Sequence, residues 1–349
     1  MFNFFRPFIF KFSPEIAHSL AIKALKLNNF PINKIVKSEI LQTNFCGKKL
    51  STPVGVAAGF DKNAEVYNPL FNLGFGFVEV GTITPKPQYG NPKPRVFRLE
   101  EDEALINRLG FNNTGSEEIS SRMFKEPKKG ILGINIGPNK DTDNRTEDYI
   151  NCFKKFHSLA DYITINISSP NTENLRDFHK KDELNFLIKE LKNEKEKLSS
   201  KVPIAVKVSP DLNNEQIEIV SKILLEQEIE IIVVSNTSDK NRDKLKNINK
   251  LEKGGLSGKP LYHVSNNTIS KFYKLLGNRV KIIGVGGVDS GEAAFEKIIR
   301  GASLVQLYTG MVYKGPGIAS LIASELIDIL KNKGFKNISE AVGTKYWTW

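Results

Sequence analysis

The stretch DYITINISSPN, Asp161 to Asn171, changes character within a few residues. Read with the two-residue period of a strand, Ile163, Ile165 and Ile167 share one face, and Thr164, Asn166 and Ser168 share the other. One side packs; the other hydrogen-bonds. Pro170 then disfavours helix at Ser169 and sends the chain into an extended loop. Hydroxyls and amides gathered at such a strand end can orient a small polar ligand, although a capped strand end with no function shows the same alternation. The neighbouring motifs must decide. In IAVKVSP, Lys207 falls on the inner face between Ala205 and Ser209, and a lysine aimed into an interior is costly unless it meets an anion or a ligand oxygen. AAGFDKN sets the small Ala57, Ala58 and Gly59 before Lys62, so a flat ligand can approach the backbone beside a cation. Gly81-Thr82, Asn135 and Ser235-Asn236-Thr237 add hydrogen-bonding groups. GGLSG (Gly254 to Gly258), GVGGV (Gly284 to Val288) and YTG (Tyr308 to Gly310) read as Gly-rich turns before helices, where backbone N–H groups hold phosphate. A lone GxGG is most often only a tight turn. Together the set fits a phosphorylated planar cofactor, and without a GxGxxG near the start a Rossmann nicotinamide domain is disfavoured.

Residues so far apart need a frame that brings strand ends to one rim. From Ile40 the chain repeats a strand-plus-helix unit. Strands are predicted at Val54 to Phe60, Phe77 to Ile83, Gly130 to Gly137, Asp161 to Ser168, Ile204 to Ser209, Glu230 to Thr237, Lys281 to Val288 and Leu304 to Val312. That is the number a closed α/β (β/α)8 TIM barrel requires, and such barrels carry their chemistry at the C-terminal strand ends. Helical spacing is clear at Asp182 to Ser199, Asn214 to Gln227, Ser265 to Leu276, Gly291 to Arg300 and Gly317 to Lys331. Lys86 to Thr114, rich in Pro, Gly and charge, reads as a long functional loop. Ahead of the barrel, LQTNFCGKKLSTP predicts a hairpin turning at Gly47-Lys48 that plugs one barrel end.

The division predicted is 1–37 as an N-terminal amphipathic helical extension and 38–349 as the barrel. MFNFFRPFIFKF is too short and too interrupted for the roughly 20 apolar residues of a spanning helix, and no small-residue cleavage site follows it. Ser13 and Pro14 mark a helix start, after which Ile16, Leu20, Ala24 and Leu27 recur at helical spacing with Lys23 and Lys26 off that stripe. Arg6, Lys11, Lys23, Lys26 and Lys34 against Glu15 suit an interfacial membrane anchor; a helical hairpin packed on the barrel has the same pattern.

The chain of 349 residues is 40% hydrophobic with a formal charge of +11. Its lysines are scattered and interleaved with glutamates, as between Lys189 and Lys197, which points away from nucleic acid and toward an anionic ligand or membrane surface. Cys46 and Cys152 make no CxxC, and His18, His157, His179 and His263 have no metal-ligand spacing, so neither a disulfide framework nor a metal site is expected.

The ordered set AAGFDKN, GTITPKPQ.GNPKPRVFR, NRLGFNN, GINIGPNK, INISSPNT, GGLSG, GVGGV and QLYTG resembles the dihydroorotate dehydrogenase family over nearly the whole chain. The resemblance implies one FMN per chain, oxidation of (S)-dihydroorotate to orotate, and a place in pyrimidine (UMP) synthesis. A serine in SSPN and an N-terminal extension are similar to the membrane-associated, quinone-using class; the soluble class has cysteine and lacks the extension. Peripheral attachment at the cytoplasmic side of the cell membrane follows from that likeness.

By motif, the resemblance implies Ser169 as catalytic base, with FMN held by Ala58, Gly59, Phe60, Asp61, Lys62, Thr82, Asn135, Asn166, Lys207, Ser235, Gly258, Gly287, Tyr308 and Thr309. Substrate would meet Lys62, Asn107, Arg108, Leu109, Gly110, Phe111, Asn166, Asn171, Asn236 and Thr237, and a quinone tunnel would pass His18, Arg98 and Tyr308. By themselves His18 reads as a helix-packing residue and Arg98 as an ion-pair partner. The segment Asn174 to Glu183 reads as a lid or as solvated surface, and Trp347 and Trp349 receive no role. Two rivals stand: a soluble flavin-barrel dihydroorotate or dihydropyrimidine oxidoreductase, for which a cysteine at 169 or iron–sulfur cysteines would argue, and an FMN-binding barrel without turnover.

Overall fold

The computed structural model describes residues 2–27, 35–172, 175–240 and 242–346. Parallel strands Val54–Val56, Phe77–Ile83, Ile131–Ile136, Tyr162–Asn166, Ile204–Val208, Ile231–Val234, Lys281–Val285 and Ala302–Leu307 follow one another around a closed barrel, the last pairing with the first. All eight predicted strands form. Several stop sooner than predicted, because period-two spacing continues into residues that have left the ladder: Gly59 has φ 105°, and Thr309–Lys314 is a short helix rather than strand. Ile163, Ile165 and Ile167 join the large apolar cluster between strands and helices, as the alternation requires. Inside the barrel a separate cluster gathers Phe77, Ile131, Tyr162, Ala205, Ile231, Val233, Ile283 and Leu304.

The hairpin Thr43–Phe45 with Lys48–Leu50 seals the lower end. Its turn is Cys46-Gly47, one residue earlier than predicted, since both residues take positive φ, 50° and 70°, the pairing a two-residue hairpin turn favours. Phe45 reaches into the barrel, its ring 5.3 Å from that of Tyr162 and 6.0 Å from that of Phe77.

Two parts differ from expectation. The 86–114 segment is no open loop: Val96–Leu99 and Ala104–Asn107 pair antiparallel, and Gly255–Gly258 adds a third strand. GGLSG is therefore mainly a strand of a small sheet over the barrel mouth, not a turn. Helices Ser116–Lys125 and Arg145–Phe156 also form, beyond the helical segments predicted above; SEEISSRMFK has only a thin apolar stripe.

The extension forms helices Phe2–Phe10 and Pro14–Lys26. Ser13 occupies the cap position, but its side chain makes no cap bond. Ile22 and Leu25 are buried against the barrel, whereas Ile16, Leu20 and Leu27 of the predicted stripe are 53%, 47% and 72% exposed. The stripe thus faces away from the protein. Phe4, Phe5, Phe8 and Phe12 are exposed with it. Arg95 pairs with Glu15 at 3.0 Å and Arg98 donates to the carbonyls of Phe10 and Phe12, which ties the helices to the small sheet. Among the described residues no helix is long and apolar enough to cross a membrane. The predicted 37/38 boundary adjoins residues 28–34, which lie outside the described residues, as do Asn174, Trp347 and Trp349.

Truncating the plug leaves a void against Tyr162 and Phe77. Phe45→Ala is expected to cost about 3–5 kcal/mol, read by urea denaturation of the purified protein; a loss below about 1 kcal/mol would show that the hairpin does not close the core.

Candidate active site

The inner face of the barrel is layered. Above the apolar floor lies a polar layer of Glu79, Asn135, Thr164, Lys207 and Gln306, all at most 5% exposed. Strand alternation puts them there, and Gly133 makes room: a Cβ at that position would lie 2.2 Å from the Tyr162 ring. Tyr162 Oη and Gln306 Nε2 each donate to Glu79 Oε2 at 3.0 Å, and Asn135 Nδ2 donates to Glu79 Oε1 at 2.8 Å. From Asn135 the bonds climb to the rim. Thr82 donates to Asn135 Oδ1 at 2.6 Å, Asn166 Nδ2 donates to Thr82 at 2.9 Å, and Asn236 Nδ2 donates to Asn166 Oδ1 at 3.1 Å.

Above this layer a cavity opens at the C-terminal ends of the strands. Its wall includes Ala58, Gly59, Lys62, Thr82, Asn107, Leu109, Gly110, Phe111, Asn166, Ser169, Asn171, Lys207, Ser235, Asn236, Thr237, Gly258, Gly287, Tyr308 and Thr309. Most residues singled out in the sequence therefore meet around one space. Of those assigned to cofactor or substrate, four do not line it. Asn135 lies one layer below, positioning Thr82. Asp61 turns its carboxylate to the backbone N–H groups of Glu65 and Val66 at 2.8 and 2.7 Å, and burial pushes its pKa up to about 6. Phe60 packs its ring 5.2 Å from His18 and 5.9 Å from Tyr308. Arg108 points outward to Glu252 at 2.6 Å, because it alternates with the wall residues Asn107 and Leu109.

The two serines are told apart by their partners. Ser168 donates to Asn166 Oδ1 at 3.1 Å and accepts from Asn236 Nδ2 at 2.9 Å, so it belongs to the network. Ser169 faces the cavity; its Oγ accepts from the Asn171 N–H at 3.2 Å and has no acceptor for its own proton among the described residues. Asn171 donates in turn to Asn107 Oδ1 at 3.3 Å.

Lys207 and Lys62 supply the charge. Burial lowers the pKa of Lys207, which the Glu79 carboxylate opposes, and among the described residues no acceptor lies in hydrogen-bond reach of its ammonium. Lys62 donates to the Gly59 carbonyl at 2.6 Å; burial brings it down to about 8, against the pull of Glu15. His18 stands beside this group, its ring 6.5 Å from Tyr308, and burial with the Lys62 charge lowers its pKa to about 3. Its imidazole is therefore neutral at ordinary pH. Arg98, by contrast, binds helix carbonyls and stacks 4.5 Å over Phe10 at the surface edge of the helices.

Sequence reading missed Glu79 and Arg176. Glu79 was open to the same alternation that found Lys207: in FVEVGTI it is the inward charge. Arg176 donates to the carbonyls of Ser168 and Thr237 at 3.4 and 3.3 Å and pairs with Asp211 and Asp239 at 3.2 and 3.0 Å. It clamps the serine loop to the Asn236 loop. No spacing signals that role. Around it Leu175–His179 is packed, not solvated, with Leu175 and Phe178 buried.

The donor set fits a flat ligand with an anionic tail. Ala57, Ala58 and Gly59 present small residues, Gly59 having open space where a Cβ would be; the unsatisfied Lys207 ammonium offers a donor beneath, beside the Thr82 and Ser235 hydroxyls, which donate to Asn135 Oδ1 and the Asn236 carbonyl. At the far end Gly286 and Gly287, both at positive φ, and the start of helix Thr309–Lys314 bring main-chain N–H groups together, as anions require. Among the described residues no cluster of His, Cys, Asp or Glu is placed to hold a metal ion.

Residues 40–330 match the family model of dihydroorotate dehydrogenase. Proteins named dihydroorotate dehydrogenase (quinone) from Bartonella henselae and Agrobacterium fabrum are 44% and 43% identical to the chain, each over 95% of it and 93% of the relative. The crystal structure of a DHODH from Eimeria tenella in complex with ferulenol superposes with a TM-score of 0.92 at 39% identity, covering 95% of this chain and 96% of that one.

Glu79→Leu would strand the Lys207 charge and the Tyr162 and Gln306 donors inside the barrel. A stability loss of about 3–5 kcal/mol is expected in chemical denaturation, and a variant as stable as the parent would show that the polar layer does not depend on the carboxylate.

Proposed function

This chain belongs to the dihydroorotate dehydrogenase family, in its quinone-dependent, flavin-using branch, and from that premise we propose that the cavity oxidises (S)-dihydroorotate to orotate with FMN. The observation that carries the residue assignment is the cavity-facing Ser169 hydroxyl with its proton uncommitted, ringed by Asn107, Asn166, Asn171 and Asn236. FMN would be held by Ala58, Gly59 and Lys62 along one edge, by Thr82, Asn166, Lys207 and Ser235 beneath, and by Gly258, Gly287, Tyr308 and Thr309 at the phosphate. When bound, it supplies a hydride acceptor that can later release its electrons. The protein does the rest. Asn side chains offer both donor and acceptor to the amide-like edges of the substrate ring, and the Lys62 ammonium binds its carboxylate. Lys207 places positive charge where electron density accumulates on reduction. Ser169 Oγ would take the proton from substrate C5 as its own hydroxyl proton passes to solvent water in the cavity, since a serine is too weak a base to act otherwise.

The extension makes the second half of the reading. Helices Phe2–Phe10 and Pro14–Lys26 would rest at the cytoplasmic membrane surface as a unit distinct from the barrel and admit quinone between them toward Tyr308. The exposed row of Phe and Ile side chains supports this. A neutral His18 between Phe60 and Tyr308 keeps that route free of charge, and Arg98 fixes its outer edge.

Ser169→Ala is expected to retain yellow, bound FMN while kcat with dihydroorotate and a quinone falls at least about a hundredfold; turnover near the parent's would overturn the assignment, and stronger activity with fumarate or NAD would favour the soluble rival. Lys62 carries its charge below about pH 8 and loses it above, so orotate affinity should weaken as pH rises past 8. Equilibrium titration of orotate across that range checks this, and a Lys62→Met variant should bind weakly with a flat profile.

A further inference from the structure

Beyond the helices, the loop after the sixth barrel strand holds two large aliphatic side chains out in water: Ile248 is 74% exposed and Leu251 75%. A stray exposed aliphatic means little, but this loop is built to present them. Leu245 is buried with Leu99, Ile106 and Leu256. The Asp102 carboxylate accepts from the backbone N–H groups of Lys246 and Asn247 at 3.0 and 3.1 Å. The Asn247 side chain accepts from the Asn249 N–H at 3.0 Å, and the Arg242 guanidinium closes the loop on the carbonyls of Glu252 and Gly254. One leucine anchors the loop from inside while Ile248 and Leu251 are held outward.

The loop also adjoins the helical extension. Asn249 Nδ2 donates to the Arg98 carbonyl at 2.9 Å, and the guanidinium of the same Arg98 donates to Phe12 O at 2.8 Å. Pro14, Arg98, Asn247 and Asn249 wall one shallow groove between the two. Glu100 and Glu101, both exposed, wall it as well; the helix side carries the apolar row of Phe4, Phe8, Phe12 and Ile16, and the loop side carries Ile248 and Leu251. Lys244, Lys246 and Lys253 are exposed around the loop; of its acids, Asp243 is exposed and Glu252 is engaged by Arg108.

We propose that this loop is a second membrane contact, which inserts Ile248 and Leu251 beside the N-terminal helices while its lysines meet anionic lipid headgroups. It rests on the reading of the helices as a membrane surface. The physical gain is direct: interfacial binding grows with the apolar area buried in the bilayer, and each lysine near an anionic surface adds further attraction.

The test uses the full chain with bound flavin and co-sedimentation with phosphatidylcholine vesicles, with and without phosphatidylglycerol. Ile248→Ser/Leu251→Ser should lower partition about tenfold with turnover of dihydroorotate and a water-soluble quinone unchanged, and Ile248→Trp should raise it. Lys244→Gln/Lys246→Gln/Lys253→Gln should erase the extra binding given by phosphatidylglycerol. Phe4→Ser/Phe8→Ser tests the helices separately. If the helix variant loses partition and neither loop variant alters it, the second contact is wrong and the membrane reading stands; if neither helix nor loop variants alter partition, both fall. If the loop variant changes only the sedimentation mass of the protein without vesicles, the patch serves a second copy of this chain and the lipid assignment is overturned.

Discussion

A carboxylate and an ammonium enclosed in one barrel set the terms for the rest of this structure. Glu79 and Lys207 share the polar layer, and neither charge would be tolerable there alone. The carboxylate is satisfied by Tyr162, Gln306 and Asn135. Lys207 has only the field of that carboxylate and a cavity above it. Such an arrangement stabilises little by itself, since both groups leave water; it leaves one strong donor pointing at whatever fills the cavity. The fold retains that tension because the apolar floor, the hairpin plug and the surrounding helices bury enough surface to carry it.

The same carboxylate fixes orientation farther up. With Glu79 Oε1 accepting from Asn135 Nδ2, Asn135 must present its oxygen to Thr82; Thr82 then donates downward, and its oxygen accepts from Asn166. Asn166 is thereby left with its oxygen toward Asn236 and Ser168. Amide orientation at the rim follows from a charge two layers below. This chain also explains the division between adjacent serines, both past the end of the ladder at Asn166: Ser168 is consumed in the network, and Ser169 is not. Arg176 holds the two loops that this network joins, binding one carbonyl from each.

How much of this was legible in the sequence depends on the range of the interaction. Strand alternation is local, so the barrel, its inner lysine and the rim of Asn166 to Asn171 were readable, and Glu79 was readable by the same rule. Pairing across long separation was not. Ala104–Asn107 takes Gly255–Gly258 as its neighbour, and nothing in either segment names the other. The polar character of 86–114 accordingly suggested a loop, because both strands of its hairpin are short. Arg108 shows the opposite failure: its motif lies at the cavity, but strand alternation turns every second side chain away from it. Phe60 and Asp61 follow the cradle in sequence yet serve packing and a turn, and only coordinates separate those roles.

The N-terminal helices extend the argument from charge to its absence. Between the cavity and the exposed apolar row lie Phe60, Tyr308 and His18, and the cation whose charge acts on His18, Lys62, is turned back to the Gly59 carbonyl and drawn by Glu15 of the second helix. Burial next to that cation leaves His18 without a proton. A protonated His18 would add a second buried positive charge within the field of Lys62, so burial first, and the cation that serves the cavity after it, keep the ring neutral. The helix that supplies His18 also supplies Glu15, which binds Arg95 on the sheet covering the mouth. Detaching the helices would thus do more than remove an apolar surface: it would expose Lys62 to water, remove its counter-charge, and free Arg95 from the contact that sets the small sheet. The two parts of the chain, distinct in composition, are electrostatically one site.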